Sequence, residues 1–281
     1  MKLMALMFCP FGFTTSAFVF SGVLEPMAGA FGVSVATTAT LQSSFAIACA
    51  LCGPVLAHFA RALPPRPVLI AVLVTLLPLN TLSAMAGNFD RLLLLRLMAG
   101  GGGSLAFPLA TALAVAGPSP QDRPKAISAV YVDIPMALVI GVPLGSLAGN
   151  ALGWPASFAV AAAICVLALV LVLAFVPGSA PTEAAAPVAR APQFARAVYA
   201  HLGVTLLASV ALFTLVGLIG PIIRATTGFV GSGIAALQFL EGVSSLIGVR
   251  LGAGLILTVP GAALAMLILH HPSSLPLPKD A

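Results

Sequence analysis

Residues 154–176 read WPASFAVAAAICVLALVLVLAFV and contain no charged side chain. A helix needs about 20 mostly apolar residues to cross the ~30 Å hydrocarbon layer of a bilayer, so this stretch is long enough. Similar runs follow one another along the chain, which has 60% hydrophobic residues, 7% charged residues and a mean hydropathy of +1.14. A water-soluble domain of 281 residues would not cover itself with so few charges. The sequence therefore predicts an all-α membrane protein.

The apolar runs form nine segments, and we predict that each is a transmembrane helix. Backbone groups in lipid must hydrogen-bond within their own segment, and these runs are far too long for the strands of a membrane barrel. The ninth segment contains Pro260, so a re-entrant segment is the alternative there. The segments are 4–24, 36–59, 67–87, 92–116, 126–150, 154–176, 198–223, 231–249 and 251–270.

Residues 177–197 are rich in proline and alanine and predict a flexible cytoplasmic linker between two bundles. The expected domains are therefore a six-helix N-terminal bundle at 1–176 and a partial C-terminal bundle at 198–271. Residues 272–281 predict a disordered tail.

The basic residues of the connections predict a multi-pass protein of the cell membrane with its N-terminus in the cytoplasm. This orientation places most of them inside, as the positive-inside rule requires. They stand singly and form no patch, so the net charge of +5 is a topology signal and does not indicate nucleic acid. Membrane lipid is the partner that the apolar segments predict. The inner residues are Lys2, Arg61, Arg66, Arg123, Lys125, Arg190, Arg196 and Arg250, and the outer ones are Arg91, Arg224 and Lys279.

Cysteine and histidine predict neither a metal site nor an enzyme. Cys49 and Cys52 have the spacing of a metal or redox pair, but no histidine or acidic residue stands beside them. His58 and His201 are isolated and the acidic residues are scattered, whereas a membrane enzyme needs such residues clustered near one membrane face. We therefore expect packing cysteines, no metal and no cofactor.

Three ionisable residues inside apolar segments are the candidate functional residues: Arg96, Asp133 and Glu241. A charge at the centre of a transmembrane helix costs about 2.5–3.5 kcal/mol on insertion scales, so it needs a compensating role. Asp133 and Glu241 are candidate proton carriers, and a purely structural polar contact is the alternative for each. A neighbouring arginine changes how readily a buried acid releases its proton, so a movement that alters their contact links proton and substrate.

Glycines in the fourth and fifth segments predict close contacts between helices. Gly100–Gly103 are four consecutive glycines, which indicates either close backbone packing or a flexible cavity wall. Gly141, Gly145 and Gly149 recur at four-residue spacing around Pro143. This spacing leaves one helix face bare, so that another helix can approach it.

The string GVPLGSLAG at 141–149, followed by GWPASF at 153–158, resembles the drug:proton and sugar-efflux antiporters of the major facilitator superfamily, the arabinose-efflux-permease-like group. The resemblance runs in order over residues 16–176 and continues more weakly over 198–250. The other matching strings are AFVFSGVL at 17–24, FGVS at 31–34, GPVL at 53–56 through RPVL at 66–69, and NF at 88–89 with LRLMAG at 95–100.

The resemblance implies a helical bundle of the major-facilitator type, with a complete N-terminal half. It implies a secondary transporter that exports a small drug- or sugar-like substrate while protons flow inward. It assigns Arg96 to proton coupling or substrate contact, a packing hinge to Gly141, Pro143, Gly145 and Gly149, and a cytoplasmic loop motif to Gly53, Arg61 and Arg66.

The sequence also departs from the pattern of that family. Arg61 stands where an aspartate is usual, and Pro64 stands where a glycine is usual. These two departures put the gating contact of the loop motif in doubt. Asp133 replaces a usual glycine, and Pro155 a usual arginine. Family members have twelve spans, against about nine predicted here, so a truncated, non-transporting protein of the same family is the alternative function. The oligomeric state is left open.

Overall fold

The structure is a computed structural model, and it is all-helical over the residues that it describes. No strand occurs among them, which confirms the predicted all-α class. Glu241, most of the predicted linker, the ninth segment and the predicted tail lie outside the described residues. The structure describes residues 1–119, 121–178, 203, 204, 207, 210, 214, 218–227, 233–240 and 243.

The described helices differ widely in length, from 4 residues in α8 to 26 residues in α3. A 3-10 helix at Ser21–Val23 follows α1, a π-helix at Ala137–Gly141 follows α8, and residues 233–240 are also helical. The α-helices are α1 (Lys2–Phe18), α2 (Leu24–Phe31), α3 (Val35–Ala60), α4 (Pro65–Ala84), α5 (Phe89–Gly103), α6 (Ala106–Val115), α7 (Arg123–Val130), α8 (Asp133–Met136), α9 (Val142–Leu152), α10 (Pro155–Phe175) and α11 (Ile219–Thr227).

Residues Met1–Gly242 form one compact unit. Of the second unit, Val243–Ala281, the structure describes Val243. The predicted domain boundaries at 176 and 198 stay predictions.

Six spans build the part of the chain before the predicted linker. Five of them are helices long and apolar enough to cross a membrane among the described residues. The remaining one, span 5 (residues 123–152), is interrupted. The other spans are span 1 (Lys2–Phe31), span 2 (α3), span 3 (α4), span 4 (Phe89–Val115) and span 6 (α10).

Span 5 differs from the single continuous helix predicted at 126–150. A turn at residues 131–132 and the π-helix at Ala137–Gly141 interrupt it. Proline has no N–H to donate to the carbonyl four residues earlier. Pro135 and Pro143 therefore each leave one carbonyl without its helical bond, and the two irregularities lie where those bonds are missing.

Local sequence signals set the ends of several helices. Gly32 ends α2 with a φ of 66°, and Ser34 then caps α3 by accepting a hydrogen bond from the Thr37 N–H at 3.0 Å. Asn88 caps α5 in the same way, with its Oδ1 2.8 Å from the Arg91 nitrogen. Gly153, with a φ of 95°, separates α9 from α10.

Span 1 lies at the centre of the six spans. It is mostly buried and contacts α3, α4, α6, α7, α8 and α10. In contrast, α3 is mostly exposed outside its contact with α5. Its outward side chains are apolar, as lipid contact requires: Ile47, Leu51, Val55 and Phe59.

Gly100–Gly103 contact three different helices. A Cβ atom at Gly100 would overlap the backbone of Phe45 in α3. Close packing, and not a flexible cavity wall, therefore accounts for these glycines. The remaining neighbours are Cys52 of α3 for Gly101, Thr75 of α4 for Gly102 and Phe13 of α1 for Gly103.

The glycines of span 5 lie against span 1. A Cβ atom at Gly141 would overlap the Thr15 side chain, and one at Gly145 would overlap Val19. Gly149 lies against Val23 of span 1 and Ser157 of span 6. The bare helix face therefore contacts its neighbours over about two turns.

Candidate functional site

Arg96 lies in the second turn of α5, and its side chain is 0% exposed. Five helices surround it: α1, α3, α4, α10 and its own helix. It is the largest fully buried side chain among the described residues. The sequence placed this cation inside an apolar segment, and the structure places it in the core of the N-terminal spans.

The two terminal nitrogens of Arg96 donate to neutral oxygens on two helices. Nη1 donates to the Ser16 carbonyl at 3.0 Å and lies 3.4 Å from the Ser16 hydroxyl. Nη2 donates to Asn80 Oδ1 at 3.1 Å and to Ser83 Oγ at 2.9 Å. Arg96 thus joins α1 to α4 through one planar group.

Two aromatic rings complete the surroundings of the guanidinium. Its carbon lies 4.8 Å from the centre of the Phe158 ring and 5.9 Å from that of Phe45. No carboxylate forms an ion pair with it among the described residues, and its buried Nε has no hydrogen-bond partner there. Within the part of the chain that the structure describes, dipoles and aromatic rings therefore hold the positive charge of Arg96, without a neutralising anion.

Asn80 connects the hydrogen bonds around Arg96. Its Oδ1 accepts both from Arg96 and from the Ser16 hydroxyl, the latter at 2.7 Å. Its Nδ2 donates to the Leu76 carbonyl at 3.0 Å and lies 3.8 Å from Cys165 Sγ. An acceptor that is shared in this way orients both of its donors.

Asp133 lies at the start of α8, and its side chain is also 0% exposed. Its Oδ2 accepts a hydrogen bond from Thr14 Oγ1 of span 1 at 2.8 Å. The structure does not bring Asp133 and Arg96 into a direct ion pair. Both nevertheless bond to residues of the same stretch of span 1, Thr14 and Ser16.

Two of the loop-motif residues, Arg61 and Arg66, lie at the connection between α3 and α4. Arg61 is exposed directly after α3, and it forms no ion pair within the described part of the chain. Arg66 donates to the Leu173 carbonyl of α10 at 3.4 Å. Gly53 lies in α3 opposite Ser104, at the break in span 4.

Sequence reasoning found Arg96 but missed Ser16, Asn80 and Ser83. Asn80 carried a usable signal, since it is an amide in the middle of an apolar segment. The two serines carried none, because single hydroxyls occur throughout transmembrane helices and bond to their own backbone. Among the described residues, no group of three His, Cys, Asp or Glu side chains is placed to hold a metal.

Comparison with protein families matches one family model, described as Major Facilitator Superfamily, to residues 6–277. The chain is 27% identical over 244 residues to the uncharacterized MFS-type transporter YfhI of Bacillus subtilis, a match that covers 86% of this chain and 62% of that protein. It is 34% identical over 165 residues to the chloramphenicol resistance protein of Streptomyces lividans, covering 58% of this chain and 41% of that protein. The chain thus spans less than two thirds of the length of these two relatives.

Comparison with solved structures matches the fold. The crystal structure of a D-xylose-proton symporter has a TM-score of 0.67 at 18% identity, and the match covers 92% of this chain and 68% of that one. The match confirms the predicted type of helical bundle, and at this identity it shows the fold alone.

Proposed function

Because the chain belongs to the major facilitator superfamily, whose members are membrane transporters and not enzymes, we propose that it is a secondary active transporter that exports a small molecule in exchange for protons. The observation that carries the proposal is the buried charge of Arg96, which forms no ion pair with any described residue. Folding a cation away from water costs several kcal/mol, and a purely structural role is served more cheaply by an apolar side chain.

Arg96 suits proton coupling because no carboxylate among the described residues is paired with its charge. A carboxylate or a bound anion that approaches Arg96 forms an ion pair with it. Protonation of the carboxylate or anion removes its charge and breaks the ion pair. Asp133 and Glu241 are the proposed proton carriers. Asp133 is buried and bonded to Thr14, two residues from the serine that holds Arg96, so a shift of span 1 changes both environments.

Ser16, Asn80 and Ser83 act as positioning residues in this proposal. They accept hydrogen bonds from Arg96 but carry no charge, so they fix the direction of the guanidinium without neutralising it. Replacing Asn80 by aspartate would neutralise Arg96, because a permanent carboxylate would then lie within hydrogen-bonding distance of the guanidinium.

The glycine face of span 5 is the proposed hinge. Gly141, Gly145 and Gly149 give span 5 and span 1 a contact without interlocking side chains. Pro143 and the π-helix before it leave span 5 with missing helical bonds, which lowers the cost of bending there.

The proposed substrate is a small drug- or sugar-like molecule. The relative from Streptomyces lividans is named a chloramphenicol resistance protein, which supports the drug-like class. The names of the relatives favour transport over the non-transporting alternative that the altered loop motif and the small number of predicted spans suggested. The proposed orientation keeps the N-terminus in the cytoplasm of a cell-membrane protein.

Reconstitution of the 281-residue chain in liposomes tests the proposal. We expect a pH gradient to drive transport of at least one compound in a panel of phenicols and monosaccharides, with proton movement followed by an internal pH dye. Arg96→Gln should lower that flux at least about tenfold, because the coupling charge is gone.

Arg91→Gln is the matched control, since Arg91 lies in the same helix but is exposed. It should leave the flux unchanged. A protein that moves no panel compound under a pH gradient contradicts the proposed function. Full flux in Arg96→Gln contradicts only the role proposed for Arg96 and leaves the proposed transport function standing.

A further inference from the structure

A second group of polar side chains joins span 1 and span 5 to the helices after the predicted linker. We propose that Ser21, Glu25, Ser146, Arg224 and Gln238 form a gate that closes this end of the bundle, with Gly22 as the position that permits closure. With the N-terminus in the cytoplasm, this end faces the outside. The inference rests on the proposed function, because a gate has a use only in a transporter that opens and closes.

The inner layer of the gate is a neutral hydrogen-bonded bridge. Gln238 is 1% exposed, and its Nε2 donates to Ser21 Oγ at 3.2 Å. Ser146 Oγ donates to Gln238 Oε1 at 2.6 Å, and both serines are 0% exposed. One amide after the linker therefore bonds to hydroxyls from two spans before it.

Gly22 lies directly beneath this bridge. A Cβ atom there would overlap the Ser146 side chain and lie 3.1 Å from Gln238 Oε1. The Gly22 carbonyl lies four residues before Pro26, which has no N–H to donate to it, and Asn150 Nδ2 donates to it at 3.4 Å instead. A side chain at Gly22 would therefore keep Gln238 away from the two serines.

The outer layer of the gate is an ion pair between Glu25 of α2 and Arg224 of α11. The Glu25 and Arg224 side chains are 31% and 50% exposed, so both are within reach of water. α11 also contacts α2 and the 3-10 helix that carries Ser21. The ion pair and the amide bridge thus join the same short stretch of span 1 to two helices after the linker.

The chemistry of these contacts suits a surface that separates repeatedly. Hydroxyl, amide and charged groups exchange their partners for water when the end opens, so separation costs little. The contacts among the first six spans include large apolar clusters and close glycine contacts, such as Gly100 on Phe45, and separation would expose these with no replacement. The gate residues themselves therefore separate at a lower cost than these apolar clusters.

Distance measurement between two spin labels tests the gate. The labels are placed by Ala30→Cys and Ala225→Cys, both exposed positions at this end, after Cys9, Cys49, Cys52 and Cys165 are changed to alanine. We expect a main short-distance population in the parent protein. Gly22→Val should lower the ratio of short to long distances by about tenfold, because the added side chain meets Ser146 and Gln238.

Gly29→Ala is the matched control, since a Cβ atom at Gly29 of α2 meets nothing within 4 Å. It should leave the distances unchanged. Equal distance distributions in the parent protein and in Gly22→Val, with both proteins folded by size-exclusion chromatography, overturn the proposal. A parent protein without a short-distance population overturns it too.

Charge reversal tests the outer layer separately. Glu25→Arg and Arg224→Glu should each lower the short-distance ratio by about two- to fivefold, and the double variant should restore it. Asp90→Asn, an exposed acid in the first turn of α5, should have no effect. Failure of the double variant to restore the parent ratio removes Glu25 and Arg224 from the gate.

These distances are measured without substrate or a pH gradient. Loss of transport in the liposome experiment therefore leaves the gate test intact. Unchanged distances in a protein that transports contradict the gate and not the proposed function.

Discussion

Replacement of Gly100 by alanine tests whether close helix packing holds Arg96 in place. A Cβ atom at Gly100 would overlap the Phe45 carbonyl oxygen and lie 2.8 Å from its carbonyl carbon and 2.9 Å from its Cα. These are backbone atoms of α3, so no side-chain rotation relieves the overlap. The helices α3 and α5 must move apart, and the Phe45 ring moves away from the Arg96 guanidinium with them.

Two opposing effects determine how much Gly100→Ala changes the free energy of unfolding. Overpacking of a filled contact costs about 1–3 kcal/mol, and the upper end applies because backbone atoms are in the way. Replacing glycine by alanine inside a helix returns about 1 kcal/mol. We expect Gly100→Ala to lower the free energy of unfolding by about 2 kcal/mol.

Gly102→Ala is the control in the same helix. A Cβ atom there meets Thr75 Cγ2 at 3.2 Å, and that side chain can rotate away. The helix-propensity effect then dominates, so stability should stay the same or rise by up to about 1 kcal/mol. The two variants add the same methyl group two residues apart and should differ in sign.

Thermal unfolding of the purified protein in detergent, followed by size-exclusion chromatography, measures the difference. We also expect Gly100→Ala to reduce pH-driven flux in liposomes, because Arg96 loses one of its two aromatic contacts. A Gly100→Ala protein as stable as Gly102→Ala would show that α3 and α5 do not pack as closely as described. If Gly100→Ala loses stability but keeps its flux, the packing of α3 on α5 does not determine the function of Arg96.

Three further variants test the site and the spans. Asn80→Asp should keep the fold but lower pH-driven flux at least about tenfold in the liposome assay, because a fixed carboxylate 3.1 Å from Arg96 neutralises it. Gly145→Ala should lower the thermal midpoint by an amount equivalent to about 1–2 kcal/mol, since the added methyl meets the Val19 backbone oxygen. Ser34→Ala should cost about 1 kcal/mol in the same measurement, because α3 loses its cap on the Thr37 N–H.

The spans were predictable because length and hydropathy alone determine which segments cross a bilayer. The predicted segment 36–59 became α3 at Val35–Ala60, and 154–176 became α10 at Pro155–Phe175. The interruptions of span 5 were not predicted, although Pro135 and Pro143 are visible in the sequence. A proline in the sequence shows that one helical hydrogen bond is missing. Whether the chain then forms a turn, a kink or a π-helix depends on the packing of neighbouring helices.

The site was predictable only where a residue is costly in lipid. Arg96 and Asp133 stand out because each is a charge among apolar neighbours, and both are buried in the structure. Ser16 and Ser83 are ordinary in membrane helices, and their role depends on which helices lie side by side. Gln238 was missed for the same reason, since its partners are more than 90 residues away in sequence.

Span 1 connects the proposed coupling site to the proposed gate. Ser16 and Thr14 of α1 hold Arg96 and Asp133, whereas Ser21 and Glu25 after the end of α1 bind Gln238 and Arg224. Between the two sets, α1 ends at Phe18 and a 3-10 helix begins at Ser21, so span 1 lacks continuous α-helical bonding there. A segment with fewer helical bonds bends at lower cost, so opening of the gate can turn α2 while Arg96 stays seated.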